Sequence, residues 1–170
     1  DRVGSIPHVS EISAEAGVAG KVAHAAVAGW EDAWKRVSAA VLDDCRERFP
    51  AWTDATDAIW QRQCGHLWWH AWTIDSSGGL GSRKSLRNFD VPAEPGEKCT
   101  CCSSREPLRA GDPRRAAVRE YWAAAAQGLA QNELRPDGSE RLCAICTIKR
   151  LYPRSAGVAL GWAVPTSFPS

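Results

Sequence analysis

Apolar residues along this chain recur mainly at helical spacing. From about Ser13 to Arg48 the sequence is rich in alanine, and Val22, Ala26, Trp30, Ala33, Val37 and Val41 fall every three or four residues. That spacing places them on one face of a long helix. Pro50 marks its end. Thr53 or Asp54 suits the cap of a second helix reaching about Cys64, with Ile59 and Trp60 turned inward. A third helix is predicted over Asp112 to Asn132 with a stripe of Val118, Trp122, Ala125 and Leu129. A short fourth starts near Ala144 and stops before Pro153. Two segments read as strands. Residues 2–9 are one, weakened by Gly4 and Pro7. Leu67 to Ile74 is the other, since Trp68, Trp69 and Trp72 suit a pleated, half-buried surface. Ser76 to Lys98 reads as loop, with Gly78, Gly79 and Gly81 followed by a basic cluster and then Pro92 and Pro95. The fold class that follows is α+β.

Composition narrows the classes of protein. A chain of 170 residues forms one domain or two small ones and is long enough to bury a core. Hydrophobic residues at 44% and charged residues at 24% exclude wholesale disorder. Lys and Arg number 21 against 20 Asp and Glu, so no global field steers the chain to nucleic acid or an anionic membrane. No run approaches the apolar length of about 18 residues that spans a bilayer. No basic-then-apolar export segment opens the chain. The cytoplasm is the expected location. The sequence contains no methionine and opens on Asp1, which predicts a piece of a longer polypeptide.

The cysteines carry the strongest chemical signal. Four of the seven form the pairs Cys99–Cys102 and Cys143–Cys146. Two residues between cysteines let both thiolates face one ion from a tight turn, and two such turns complete a tetrahedral four-sulfur zinc site. The helix predicted within residues 103–142 is then an excursion whose ends the metal ties. Four protein sulfurs leave no position for water or substrate, so such a zinc is structural. Cys101 competes with Cys99 or Cys102 as a ligand. The blander readings are unpaired core thiols or a redox pair.

Other candidates are weaker. Gly78 to Ser85 superficially resembles a phosphate loop, but Arg83 occupies the position where glycine must precede Lys-Ser. Arg83, Lys84 and Arg87, with Asn88 and Phe89, offer charge and one stacking ring to an RNA backbone, or form a solvated loop. Lys149, Arg150 and Arg154 lie toward the C-terminus of the short fourth helix, where positive charge is favourable. His66 and His70 have the spacing of zinc-protease ligands, but Leu67 stands where that motif needs glutamate. Nine tryptophans are many for this length, and Trp52 and Trp162 are candidates to pack on other parts of a parent chain or a partner. No triad or working carboxylate pair is visible, so no catalytic residue is assigned.

Arg83 to Phe89, Pro95 to Cys99, Glu140 to Cys146 and Lys149 to Pro153, in that order, resemble the large subunit of type III-B (Cmr-type) CRISPR effector complexes. The resemblance is good over about 83–153 and fainter over 20–75, where Trp60 and Gln63 lie. It implies a ferredoxin-like palm edge over residues 1–75, a mostly helical four-cysteine excursion over 76–153, and a following, truncated region over 154–170. It implies zinc on Cys99, Cys102, Cys143 and Cys146, with Cys101 a bystander. It implies guide RNA, target RNA and other subunits of the complex as partners, and no membrane. The parent would convert ATP, with magnesium or manganese, into cyclic oligoadenylates when target RNA binds. This chain has no Gly-Gly-Asp-Asp and no His-Asp pair, so any enzyme activity belongs to the parent. The rival reading is a stand-alone zinc module that binds RNA or protein without catalysis.

Overall fold

The computed structural model describes residues 14–15, 17–65, 94, 96–130 and 133–161. Four helices follow in order: α1 (Ala19–Arg48), α2 (Asp54–Gly65), α3 (Arg115–Gln127) and α4 (Ala144–Leu160). No strand occurs among the described residues, which corrects the α+β expectation and removes the ferredoxin-like palm edge. The physical reason lies in how the apolar stripes are covered. Stripes at helical spacing on α1, α2, α3 and α4 are buried in one another and in the loops between them, a helix-on-helix solution rather than helix on sheet. Both predicted strands, 2–9 and 67–74, lie outside the described residues.

Helix α1 buries only its second half, through Val37, Val41, Leu42 and Cys45. The predicted stripe continues toward the N-terminus, yet Trp30 there is 48% exposed. The helix ends where expected. Phe49, preceding Pro50, leaves helical geometry for an extended one and its N–H bonds the carbonyl of Cys45 at 2.8 Å. Thr53 precedes α2, and the hydroxyl of Thr56 in its first turn accepts the Thr53 N–H at 3.3 Å, one half of a capping box. Asp57 then fastens α2 to the end of α1, accepting from Arg46 and from the indole N–H of Trp52 at 3.0 Å.

Helix α3 starts later than its pattern suggests because Asp112 accepts the Arg114 N–H at 2.9 Å and holds that turn outside the helix. Val118, Tyr121, Trp122 and Ala125 are its buried face. Phe49 meets Tyr121 and Trp122 edge-on, with centroids 6.4 and 6.0 Å away. Trp52 packs within the chain against Phe49 and Trp60, both at 5.9 Å, rather than awaiting an outside surface. Trp162 lies outside the described residues.

Helix α4 departs furthest from expectation, since it passes through Pro153 and ends only at Gly161, which takes a left-handed φ of 71°. An interior proline costs about 3 kcal/mol locally. Tertiary packing offsets it: Ile148, Leu151, Ser155 and Ala156 are buried against the core, largely against α1. Beyond the proline, Arg154 donates to Asp44 of α1 at 3.1 Å and to Glu133 at 2.6 Å. One hydrophobic cluster draws on residues before 75, such as Val41 and Trp60, and after it, such as Leu108, Trp122 and Leu151.

Candidate metal centre

Two arms bring four sulfurs together. The first is the loop Cys99–Cys102. Its closing residue Ser103 adopts a left-handed φ of 57° and donates its N–H to the Cys99 carbonyl at 2.9 Å. Cys99 in turn donates its N–H to the carbonyl of Arg105 at 2.7 Å. A non-glycine residue in that region carries a small strain, accepted here because the turn aims both thiols the same way. The second arm is the start of α4. Cys143 is its N-cap, extended at φ −74° and ψ 166°, and its sulfur accepts the N–H of Cys146 at 3.5 Å. The free amides and positive dipole end of a helix favour thiolate there.

Backbone contacts lock the arms in register. Thr100 donates its N–H to the carbonyl of Arg141 at 2.8 Å, and its hydroxyl accepts the Arg141 N–H at 3.0 Å. Leu108 donates to the carbonyl of Leu142 at 2.8 Å. In the result, one sulfur from each of Cys99, Cys102, Cys143 and Cys146 lies within 4.8 Å of all the others. Cys99, Cys143 and Cys146 are buried, and Cys102 is half-buried.

The donor set fits a tetrahedral thiophilic ion. Metal–sulfur bonds of about 2.3 Å require sulfur–sulfur edges of about 3.8 Å. Cys102 and Cys143 are 3.8 Å apart, too far for a disulfide. Charge points the same way. Thiol hydrogen bonds from Cys143 and Cys146, followed by the backbone N–H groups of Cys102 and Cys143, hold Cys99 far below the usual thiol range. Cys146 is driven far up by its hydrogen bonds to Cys143 and Cys99 and by burial. The cluster alone thus stabilises one thiolate by keeping a neighbour protonated. Two positive charges at its centre would let the other thiols ionise as well.

No protein-family model, no curated protein and no solved structure matches this chain.

The remaining predicted groups distribute as follows. Cys101 is exposed and outside the four-sulfur group. Cys45 and Cys64 are also outside it, and burial pushes the Cys64 thiol up to about 12. Arg83, Lys84 and Arg87, with the glycine loop and the two histidines, lie outside the described residues. Arg150 pairs with Glu140, and Arg154 with Asp44 and Glu133. With α4 extended to Leu160, these basic residues sit in its middle rather than at its C-terminus. No helix among the described residues is long and apolar enough to cross a membrane.

Sequence reasoning missed the polar groups packed around the arms. Glu106 is only 5% exposed, held by Arg62 and by Arg109 at 3.1 Å. Gln63 is 2% exposed on the inward face of α2. The available signal was positional: Gln63 follows Trp60 by one helical turn, so a polar residue shares an apolar face.

Proposed function

We propose that this chain is a zinc-stapled helical scaffold, and that it serves as an assembly segment in the large signalling subunit of a type III-B CRISPR effector complex. The observation that carries the zinc reading is the four-sulfur cluster of Cys99, Cys102, Cys143 and Cys146. Zinc suits four thiolates in a tetrahedron, and a site closed by protein sulfur holds structure rather than performing a reaction. What supports the assignment to an effector subunit is the ordered set of motifs around both pairs, from Arg83 to Pro153. In this role the segment would help hold the guide RNA and neighbouring subunits, while ATP conversion to cyclic oligoadenylates would reside in the parent polypeptide.

Isolation of the native polypeptide from its source cells tests this reading. The expected result is bound guide RNA, companion subunits, and cyclic oligoadenylate formed from ATP on addition of target RNA. A zinc-loaded polypeptide free of RNA and subunits would instead identify a stand-alone binding module.

A further inference from the structure

Gln63 is not among the four clustered sulfur donors, yet its carboxamide joins both arms of the centre. Its Oε1 accepts the N–H of Ala144 at 2.7 Å. Ala144 follows Cys143 and is the first residue of α4, so its amide is among those that a helix start leaves without an internal partner. On the other side, Nε2 donates to the carbonyl of Glu106 at 2.9 Å and to the carboxylate of Glu94 at 2.8 Å. Glu106 stands where the loop bearing Cys99 and Cys102 returns, and the same Glu94 oxygen accepts its N–H at 2.8 Å. One buried side chain on α2 therefore spans the loop arm and the helix arm.

We infer that Gln63 is a positioning residue for the four-sulfur centre, and that it links metal loading to the docking of α2 in one equilibrium. The inference rests on the metal reading above. When the arms close, the Ala144 amide and the Glu106 carbonyl arrive together at the spacing one carboxamide bridges. When they open, both groups and the carboxamide lose buried partners at once, so α2 loses its polar anchor. Linkage is reciprocal: whatever factor docking of α2 adds to metal affinity, metal adds to docking. Partners that orient a metal ligand without touching the ion typically change affinity by about 10- to 100-fold.

The test uses the 170-residue chain and zinc itself. Gln63→Met keeps the length of the side chain and removes both its donor and its acceptor. Zinc affinity, read by competition with a chromophoric chelator, is expected to fall about tenfold or more. Stoichiometry and the cobalt–thiolate absorption bands should be retained. Val41→Ala, which opens a cavity at a fully buried position of α1, provides a comparison at similar loss of stability and should change affinity less. In the unsubstituted chain, amide exchange after chelation should show α2 losing protection together with residues 141–146. That measurement decides the matter if Gln63→Met does not fold. Unchanged affinity in a folded Gln63→Met, or α2 keeping its protection while the cysteine arms lose theirs, overturns the link but leaves the metal centre standing. An unsubstituted chain that takes up no zinc overturns the metal reading itself.

Discussion

Gly128, which ends α3, lies directly against the carbonyl of Arg48, which ends α1: a Cβ at Gly128 would sit 1.8 Å from that oxygen. The constraint is steric, because Gly128 has an ordinary helical φ of −79°. The obstacle is backbone and cannot swing aside as a side chain would. Gly128→Ala should therefore destabilise the fold by about 3 kcal/mol, at the upper end for overpacking. Chemical denaturation checks this, and a loss below about 0.5 kcal/mol, the usual range for surface changes, would contradict the close approach.

A second prediction concerns the clamp that carries α4 past Pro153. Arg154 reaches Asp44 on α1 and Glu133 after α3, and Asp44 also accepts from Arg48 at 2.6 Å. All three members of this clamp are half-buried. Arg154→Met should cost about 1–3 kcal/mol, because two carboxylates lose a charge-assisted partner in a partly dry setting. A double-mutant cycle with Asp44→Asn should give a coupling of about 1 kcal/mol. Amide exchange should show fraying confined to the last turns of α4.

The helices were legible in the sequence because alanine-rich stretches with apolar residues every three or four positions leave few alternatives. Val37 and Val41, Ile59 and Trp60, and Val118 and Trp122 all face inward as their spacing indicates. The meeting of Cys99, Cys102, Cys143 and Cys146 was legible too, since Cys-x-x-Cys is a local geometric device. Two features were not. The end of α4 was misjudged because proline is a local signal for stopping, whereas the helix is sustained by Arg154 and Ala156 meeting distant residues. The α+β class rested on strands at 2–9 and 67–74, which lie outside the described residues, whereas the regular elements among the described residues are four helices. Gln63 was invisible as a site residue because its partners, Glu106 and Ala144, are 43 and 81 positions away.

Alkaline pH offers a third prediction. Burial, the leading cause, raises Tyr121 above its ordinary value, and burial likewise raises Cys64. An acid whose folded-state pKa lies above its unfolded value binds more protons when folded. Its contribution to stability is complete below the unfolded pKa and declines as pH rises through the interval up to the folded one. Cys64 should thus erode stability between its unfolded value of 9.0 and about 12, and Tyr121 from 10.0 upward. Urea midpoints should fall across this range. Tyr121→Phe and Cys64→Ala should each make the fall shallower, and an unchanged slope in both would contradict burial as the cause.

Ligand assignment gives a fourth. Cys143→Ser removes a buried N-cap sulfur and one of four donors, so it should abolish stoichiometric metal binding and loosen the start of α4. Cys101→Ser alters an exposed thiol outside the group and should retain one metal per chain. Equal metal loss in both variants would mean that Cys101 exchanges with a neighbour as ligand.

X-ray absorption at the zinc edge on the purified 170-residue chain is the most direct test of the central claim, that the two cysteine arms hold one structural zinc. The expected result is one zinc per chain with four sulfur neighbours at about 2.3 Å and no light-atom neighbour. Fewer than four sulfurs, an oxygen or nitrogen in the coordination shell, or no bound metal would contradict it.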